Sequence, residues 1–66
     1  MDKGEIAEVL EAYPNAQFLL RRETGETMRG YLSGVMRRNF IKVLVGDRVR
    51  VEFPDIGEIG RIIRRM

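Results

Sequence analysis

Apolar and polar positions alternate most cleanly where Val49, Val51 and Phe53 are interleaved with Arg48, Arg50 and Glu52. An alternation with a period of two predicts a strand with one apolar face. A second run, Ala16-Gln17-Phe18-Leu19-Leu20-Arg21-Arg22, lies between the turn signal Pro14-Asn15 and the loop Glu23-Thr24-Gly25-Glu26. It reads as the first arm of a hairpin. Residues 27–32 make the second arm, with Met28, Gly30 and Leu32 on one side and Thr27, Arg29 and Tyr31 on the other. Gly30 has no side chain and is expected to mark a bulge or the sharp bend that closing a small barrel needs. Ser33 suits the N-cap of a short helix, with Arg37 and Arg38 near its negative C-terminal end. Gly46-Asp47 leads into the alternating strand, Pro54-Asp55-Ile56-Gly57 turns the chain again, and residues 59–63 make a last strand.

The N-terminal segment carries two conflicting signals. Ile6, Val9, Leu10 and Tyr13 fall at i, i+3, i+4 and i+7, the spacing of an amphipathic helix, and the Glu and Ala residues among them favour one. Pro14 follows directly, however, and an open sheet in so short a chain would leave two bare edges. Five short strands with one helix between the third and fourth close a barrel and remove most of that problem. Residues 5–11 are therefore expected to be a strand, against their periodicity. The expected class is all-β, a five-stranded barrel.

Composition bounds the rest. Sixty-six residues make one domain, residues 1–66, barely long enough to hold a core. A chain of this size buries roughly 60% of its unfolded surface and has a net stability of about 3–10 kcal/mol. The chain has no Cys and no His, which removes disulfides, thiolate metal sites, the commonest metal ligand and the commonest general acid or base. No apolar run approaches the roughly 20 residues that span a bilayer, and Met-Asp-Lys-Gly-Glu is no signal peptide. A small soluble cytosolic domain, without membrane association, is expected. The net charge of +2 is unevenly spread: residues 1–26 sum to −3 and residues 27–66 to +5. A one-sided basic field attracts polyanions, although Arg and Glu also serve simply to solubilise a small surface.

The candidate chemistry lies between residues 31 and 48. Arg37, Arg38 and Lys42 share a short segment with the ring of Phe40, and cations interleaved with a stackable ring suit the phosphates and unstacked bases of folded RNA. Tyr31 and Phe40 are either core or stacking residues. Met36 either fills a gap at the end of the barrel or meets a displaced base. Asn39 offers an amide to a base edge or a sugar hydroxyl, or else caps the helix. Arg48, Arg61 and Arg64 extend the basic face, while Phe18 and Phe53 read as core. Catalysis finds no support. Ser33 has no His partner, the acids fall on surface faces, and neither Gly25 nor Gly57 belongs to a phosphate-loop pattern. Neither metal nor cofactor is expected.

The run Ser33-Gly34-Val35-Met36-Arg37-Arg38-Asn39-Phe40-Ile41-Lys42-Val43-Leu44-Val45-Gly46-Asp47-Arg48-Val49 resembles a signature of the bacterial translation initiation factor 1 family. In that family it reads Gly-Lys-Met-Arg-Lys-Asn-Tyr-Ile-Arg-Ile-Leu-x-Gly-Asp-Lys-Val. The likeness continues through Val9-Leu10-Glu11-Ala12-Tyr13-Pro14-Asn15-Ala16-Gln17-Phe18, similar to the family's Val-Leu-Glu-x-Leu-Pro-Asn-x-x-Phe. Gly25 falls on the family's hairpin Gly, Tyr31-Leu32-Ser33-Gly34 on His-Ile-Ser-Gly, and Gly60-Arg61-Ile62-Ile63 followed by Arg65 or Arg64 on the closing Gly-Arg-Ile-x-x-Arg. No gap is needed between Val9 and Phe53. The resemblance implies an OB-fold barrel that occupies the aminoacyl-tRNA site of the small ribosomal subunit, contacts ribosomal RNA and cooperates with the other two initiation factors. A monomer is expected. On the matching positions, Tyr31, Met36, Arg37, Arg38, Asn39, Phe40, Lys42, Arg48, Arg61 and Arg64 are the expected RNA-binding residues.

The departures describe a divergent or engineered member. Val35 replaces a Lys of the signature, and Tyr31 replaces the usual His. Residues 54–59 make a shorter connection than the family's Pro-Tyr-Asp-Leu-Ser-Lys, and the chain starts several residues late. Two other classes stay open on sequence: a free-standing OB-fold chaperone of single-stranded RNA, and a protein-interaction barrel docking through its acidic N-terminal half.

Overall fold

The structure, a computed structural model, describes residues 4–54 and 59–66. Its elements are β1 (Glu5–Tyr13), β2 (Gln17–Arg21), β3 (Thr27–Leu32), the helix α1 (Gly34–Arg38), β4 (Arg48–Glu52) and β5 (Ile59–Arg65). They close a barrel in the order β1-β2-β3-β5-β4, with β4 returning to β1. All neighbours are antiparallel except β3 and β5, which pair in parallel. The turn expected at Pro54-Asp55-Ile56-Gly57 falls, from Asp55 on, outside the described residues.

Alternation builds the core. Ala7 and Val9 of β1, Phe18 and Leu20 of β2, Val49 and Val51 of β4 and Ile62 of β5 all point inward, joined by Val43 and Met36. Phe18 is core as expected, while Phe53 is half-buried and packs against the core from its edge.

The helical spacing in the N-terminal segment is a coincidence of a bulged strand. Register shifts between Val9 and Glu11, so Val9 alone of the four apolar residues is fully buried, while Ile6, Leu10 and Tyr13 are half-buried. The Val9 backbone makes its hydrogen bonds beyond the β1–β4 pairing. Its N–H donates to the Asp47 carbonyl at 2.9 Å and its carbonyl accepts from Gly46 N–H at 2.8 Å, which stitches the Gly46-Asp47 turn onto the bulge. Gly46 takes a positive φ of 96°, and Asp47 Oδ2 accepts from Leu44 N–H at 2.8 Å. The expected turn forms there and sets the phase of β4, with Arg48 outward and Val49 inward.

Gly30 does not mark a bulge. The register shifts lie at Val9/Glu11 and Arg50/Val51, and Gly30 pairs regularly with Phe18 and Gly60. Its role is close approach: a Cβ there would lie 2.4 Å from Leu20 Cδ1, and one on Gly60 would lie 2.7 Å from Val51 Cγ1 and 2.8 Å from the Phe53 ring. Two bare backbones meeting across the parallel pair leave room for Leu20, Val51 and the Phe53 ring.

Candidate nucleic-acid interface

Between β3 and β4 the chain makes a helix of little more than one turn, capped at both ends. Ser33, extended at φ −64° and ψ 161°, accepts at Oγ from Met36 N–H (3.4 Å) as the expected N-cap. At the other end Phe40 N–H donates to the Arg37 carbonyl (3.2 Å) and Ile41 N–H to the Met36 carbonyl (3.0 Å). That paired pattern is a Schellman C-cap, whose left-handed residue is usually Gly. Here it is Phe40, at a φ of 54°. The ring gains no burial in exchange, since Phe40 is 91% exposed.

This capped turn sorts the candidate residues. Arg37, Arg38, Asn39, Phe40 and Lys42 are all exposed. Among the described residues no carboxylate pairs with Arg37, Arg38 or Lys42, and the Asn39 side-chain amide makes no hydrogen bond. Asn39 caps the helix through its backbone, whose N–H donates to the Val35 carbonyl at 3.0 Å. Met36 goes the other way. At 1% exposure it lies in the core, so it fills the gap and is not presented to a base.

An open groove of about 560 Å³ runs between α1, the segment after it and the end of β5, lined among others by Val35, Asn39, Phe40, Lys42, Arg64 and Arg65. It brings Arg64 to the α1 group. Arg65, matched on sequence as the alternative to Arg64 for the closing Arg but not taken as a site residue, donates from Nη1 to the Lys42 carbonyl at 3.0 Å, tying the end of β5 to the loop. Arg48 is exposed at the start of β4, and no carboxylate pairs with it among the described residues.

Tyr31 and Arg61 are not part of this group. They are register partners on β3 and β5 and line a separate hollow of about 250 Å³ with Glu52 and Phe53. Tyr31 is 40% exposed and so outside the core. Arg61 is held by Glu52, with Nε donating to Oε1 at 3.0 Å, and that hydrogen bond raises the pKa of its guanidinium. A similar pairing ties up Arg22, which donates to Glu5 at 2.6 Å and stacks on the Phe53 ring at 4.4 Å. Its hydrogen bond to Glu5 raises its pKa too. Among the described residues no group of His, Cys, Asp or Glu is placed to hold a metal ion, and no helix is long and apolar enough to cross a membrane.

A closed five-stranded barrel with a short helix between the third and fourth strands is an OB-fold, a class that binds oligonucleotides and oligosaccharides. Comparison with known proteins narrows the class. No family model matches the chain. It is 41% identical over 59 residues to the chloroplastic translation initiation factor IF-1 of Dioscorea elephantipes, covering 88% of this chain and 77% of that protein. The same figures hold for the chloroplastic IF-1 of Asarum canadense. The solution structure of translation initiation factor 1 from the Wolbachia endosymbiont strain TRS of Brugia malayi superposes with a TM-score of 0.74 at 33% identity, over 92% of this chain and 74% of that one. A portion of the crystal structure of YjeQ from Thermotoga maritima, 22% of that chain, superposes on 94% of this one with a TM-score of 0.78 at 30% identity. The chain belongs to the translation initiation factor IF-1 family.

Proposed function

We propose that this translation initiation factor occupies the aminoacyl-tRNA site of the small ribosomal subunit through contacts with ribosomal RNA, and there assists the other initiation factors. The observation that carries this reading is the surface around α1. Arg37, Arg38 and Lys42 stand exposed without a carboxylate partner among the described residues, beside a ring held out into solvent. Cations with an aromatic ring at this spacing match phosphates flanking an unstacked base. The factor works by occupancy: it fills a site and excludes a competing ligand, with no bond made or broken. It acts as a monomer, without cofactor, in the cytoplasm. Stoichiometric co-sedimentation with purified small subunits is expected, and a ligand of the aminoacyl-tRNA site should release it. Binding that survives saturating amounts of such ligands overturns the placement.

A second reading, a free-standing chaperone of single-stranded RNA, is favoured by one observation. Tyr13, Gln17, Tyr31 and Arg61 follow one another in register across β1, β2, β3 and β5, with Arg29 over the Tyr13 ring at 4.9 Å. Two tyrosines on an outer sheet face are the start of a stacking platform. Equal affinity for short single-stranded RNA and for subunits would favour this reading over the first.

A further inference from the structure

Arg50 and Arg64 face each other across the β4–β5 pair. Plain alternation from buried Ile62 would turn Arg64 inward, but the register shift between Arg50 and Val51 places it opposite Arg50 instead. Like charges directly opposite on neighbouring strands destabilise a sheet. Among the described residues no carboxylate pairs with either arginine. The described carboxylates closest along β1 and β4 are engaged elsewhere, Glu5 by Arg22, Glu8 by Arg21 and Glu52 by Arg61. On its other side Arg50 is paired with Ile6. Its Nε is buried and has no hydrogen-bond partner among the described residues, and its stem lies against Gly4, where a Cβ would come within 3.3 Å of Arg50 Cγ. Among the described residues a buried donor thus stands unsatisfied beside a like charge with no counter-ion, an arrangement that a bound anion would relieve.

We propose that Arg50 and Arg64 form a clamp for one backbone phosphate of the RNA. Strand neighbours lie about 4.8 Å apart, so two guanidinium forks reach a single phosphate from either side, and Arg is the side chain that binds phosphate bidentately. Arg64 also lines the groove beside α1, which makes the clamp continuous with that surface. The RNA strand leaves Phe40 and Lys42, passes Arg64 and Arg65, and crosses onto the outer face of β4–β5. The inference rests on the RNA-binding reading above and adds to it a second strand-borne contact that involves Arg50.

The test is a charge reversal whose effects on stability and binding have opposite signs. Arg50→Glu places a carboxylate opposite Arg64, so the melting midpoint is expected to hold or rise, while affinity for purified small subunits falls roughly ten- to a hundredfold. Arg64→Gln attacks the clamp from its exposed side and keeps the test valid if Arg50→Glu does not fold; it too should weaken binding and flatten the log–log salt slope by about 0.7. Arg21→Gln removes an equal charge from the exposed end of β2, outside every surface assigned to RNA, and should bind as the parent does. If both clamp variants bind normally while Arg37→Ala with Arg38→Ala does not, the clamp is overturned and the RNA reading stands. Equal weakening by Arg21→Gln overturns it as well, by showing an effect of overall charge. Failure of the unaltered chain to bind subunits overturns the RNA reading itself.

Discussion

Phe40 holds a left-handed backbone that glycine would adopt without strain, and it exposes its ring while doing so. A left-handed L-residue costs about 1–2 kcal/mol, partly offset in any comparison with Gly by the entropy Gly loses on folding, about 0.5–1 kcal/mol. Phe40→Gly is therefore expected to raise stability by up to ~1 kcal/mol in a denaturant titration. The same variant should lose roughly 1–3 kcal/mol of binding to small subunits if the ring stacks on a base. A gain in stability without any loss of binding would show that the ring has no ligand. Val35 makes the converse case. At 58% exposure it lines the groove and contributes no core contact, so the inward packing that would make a charge costly here is absent. Val35→Lys should leave stability within about 0.5 kcal/mol, tighten binding by up to ~1 kcal/mol and steepen the salt slope by about 0.7. A drop in melting midpoint with no gain in affinity would count against it.

At the scale of elements, α1 is a platform rather than a core helix. It sends one residue, Met36, inward and turns Arg37 and Arg38 outward. Arg37→Ala with Arg38→Ala should leave the circular dichroism spectrum and melting midpoint nearly unchanged, since exposed charges contribute little to stability. Binding to subunits should weaken by about 2–4 kcal/mol, from two charge-assisted contacts of roughly 1.5–3 kcal/mol each less some rearrangement. Unfolding of this variant would instead assign both arginines to the scaffold. The elements themselves were largely legible in the sequence, because strict alternation, the Pro14-Asn15 and Gly46-Asp47 turns and the Ser33 cap are local signals. What local signals hide is a bulge. The shift at Val9/Glu11 lets a strand carry helical spacing, and the shift at Arg50/Val51 turns Arg64 outward where alternation would bury it. The close approach at Gly30 was hidden for a related reason: the atom that excludes its Cβ belongs to Leu20 on the neighbouring strand, which no local pattern reveals. Met36, given two roles by its chemistry, was decided by packing alone.

Across the whole molecule, folding sharpens the charge asymmetry already present along the chain. Arg21 and Arg22, the cations next to the acidic hairpin loop, are neutralised by Glu8 and Glu5, and Arg61 by Glu52. Among the described residues Arg37, Arg38, Lys42, Arg48 and Arg64 keep no carboxylate partner, and they are carried by α1, the segment after it, β4 and β5. Such a field steers a polyanion toward one part of the surface and releases counterions when it docks. Five phosphate contacts at ~0.7 each give a log–log salt slope of about −3 to −4. Affinity for small subunits should then fall about a hundredfold between roughly 50 and 200 mM salt. Arg61 belongs outside this count, because a guanidinium already bonded to Glu52 exchanges one anion for another and releases little; Arg61→Gln should leave the slope where it is. The titration therefore has two readouts. A slope near zero for the unaltered chain would reject electrostatic docking on RNA. A slope that flattens with Arg61→Gln as much as with Arg64→Gln would move the interface off the α1 groove and onto the Tyr31–Arg61 face.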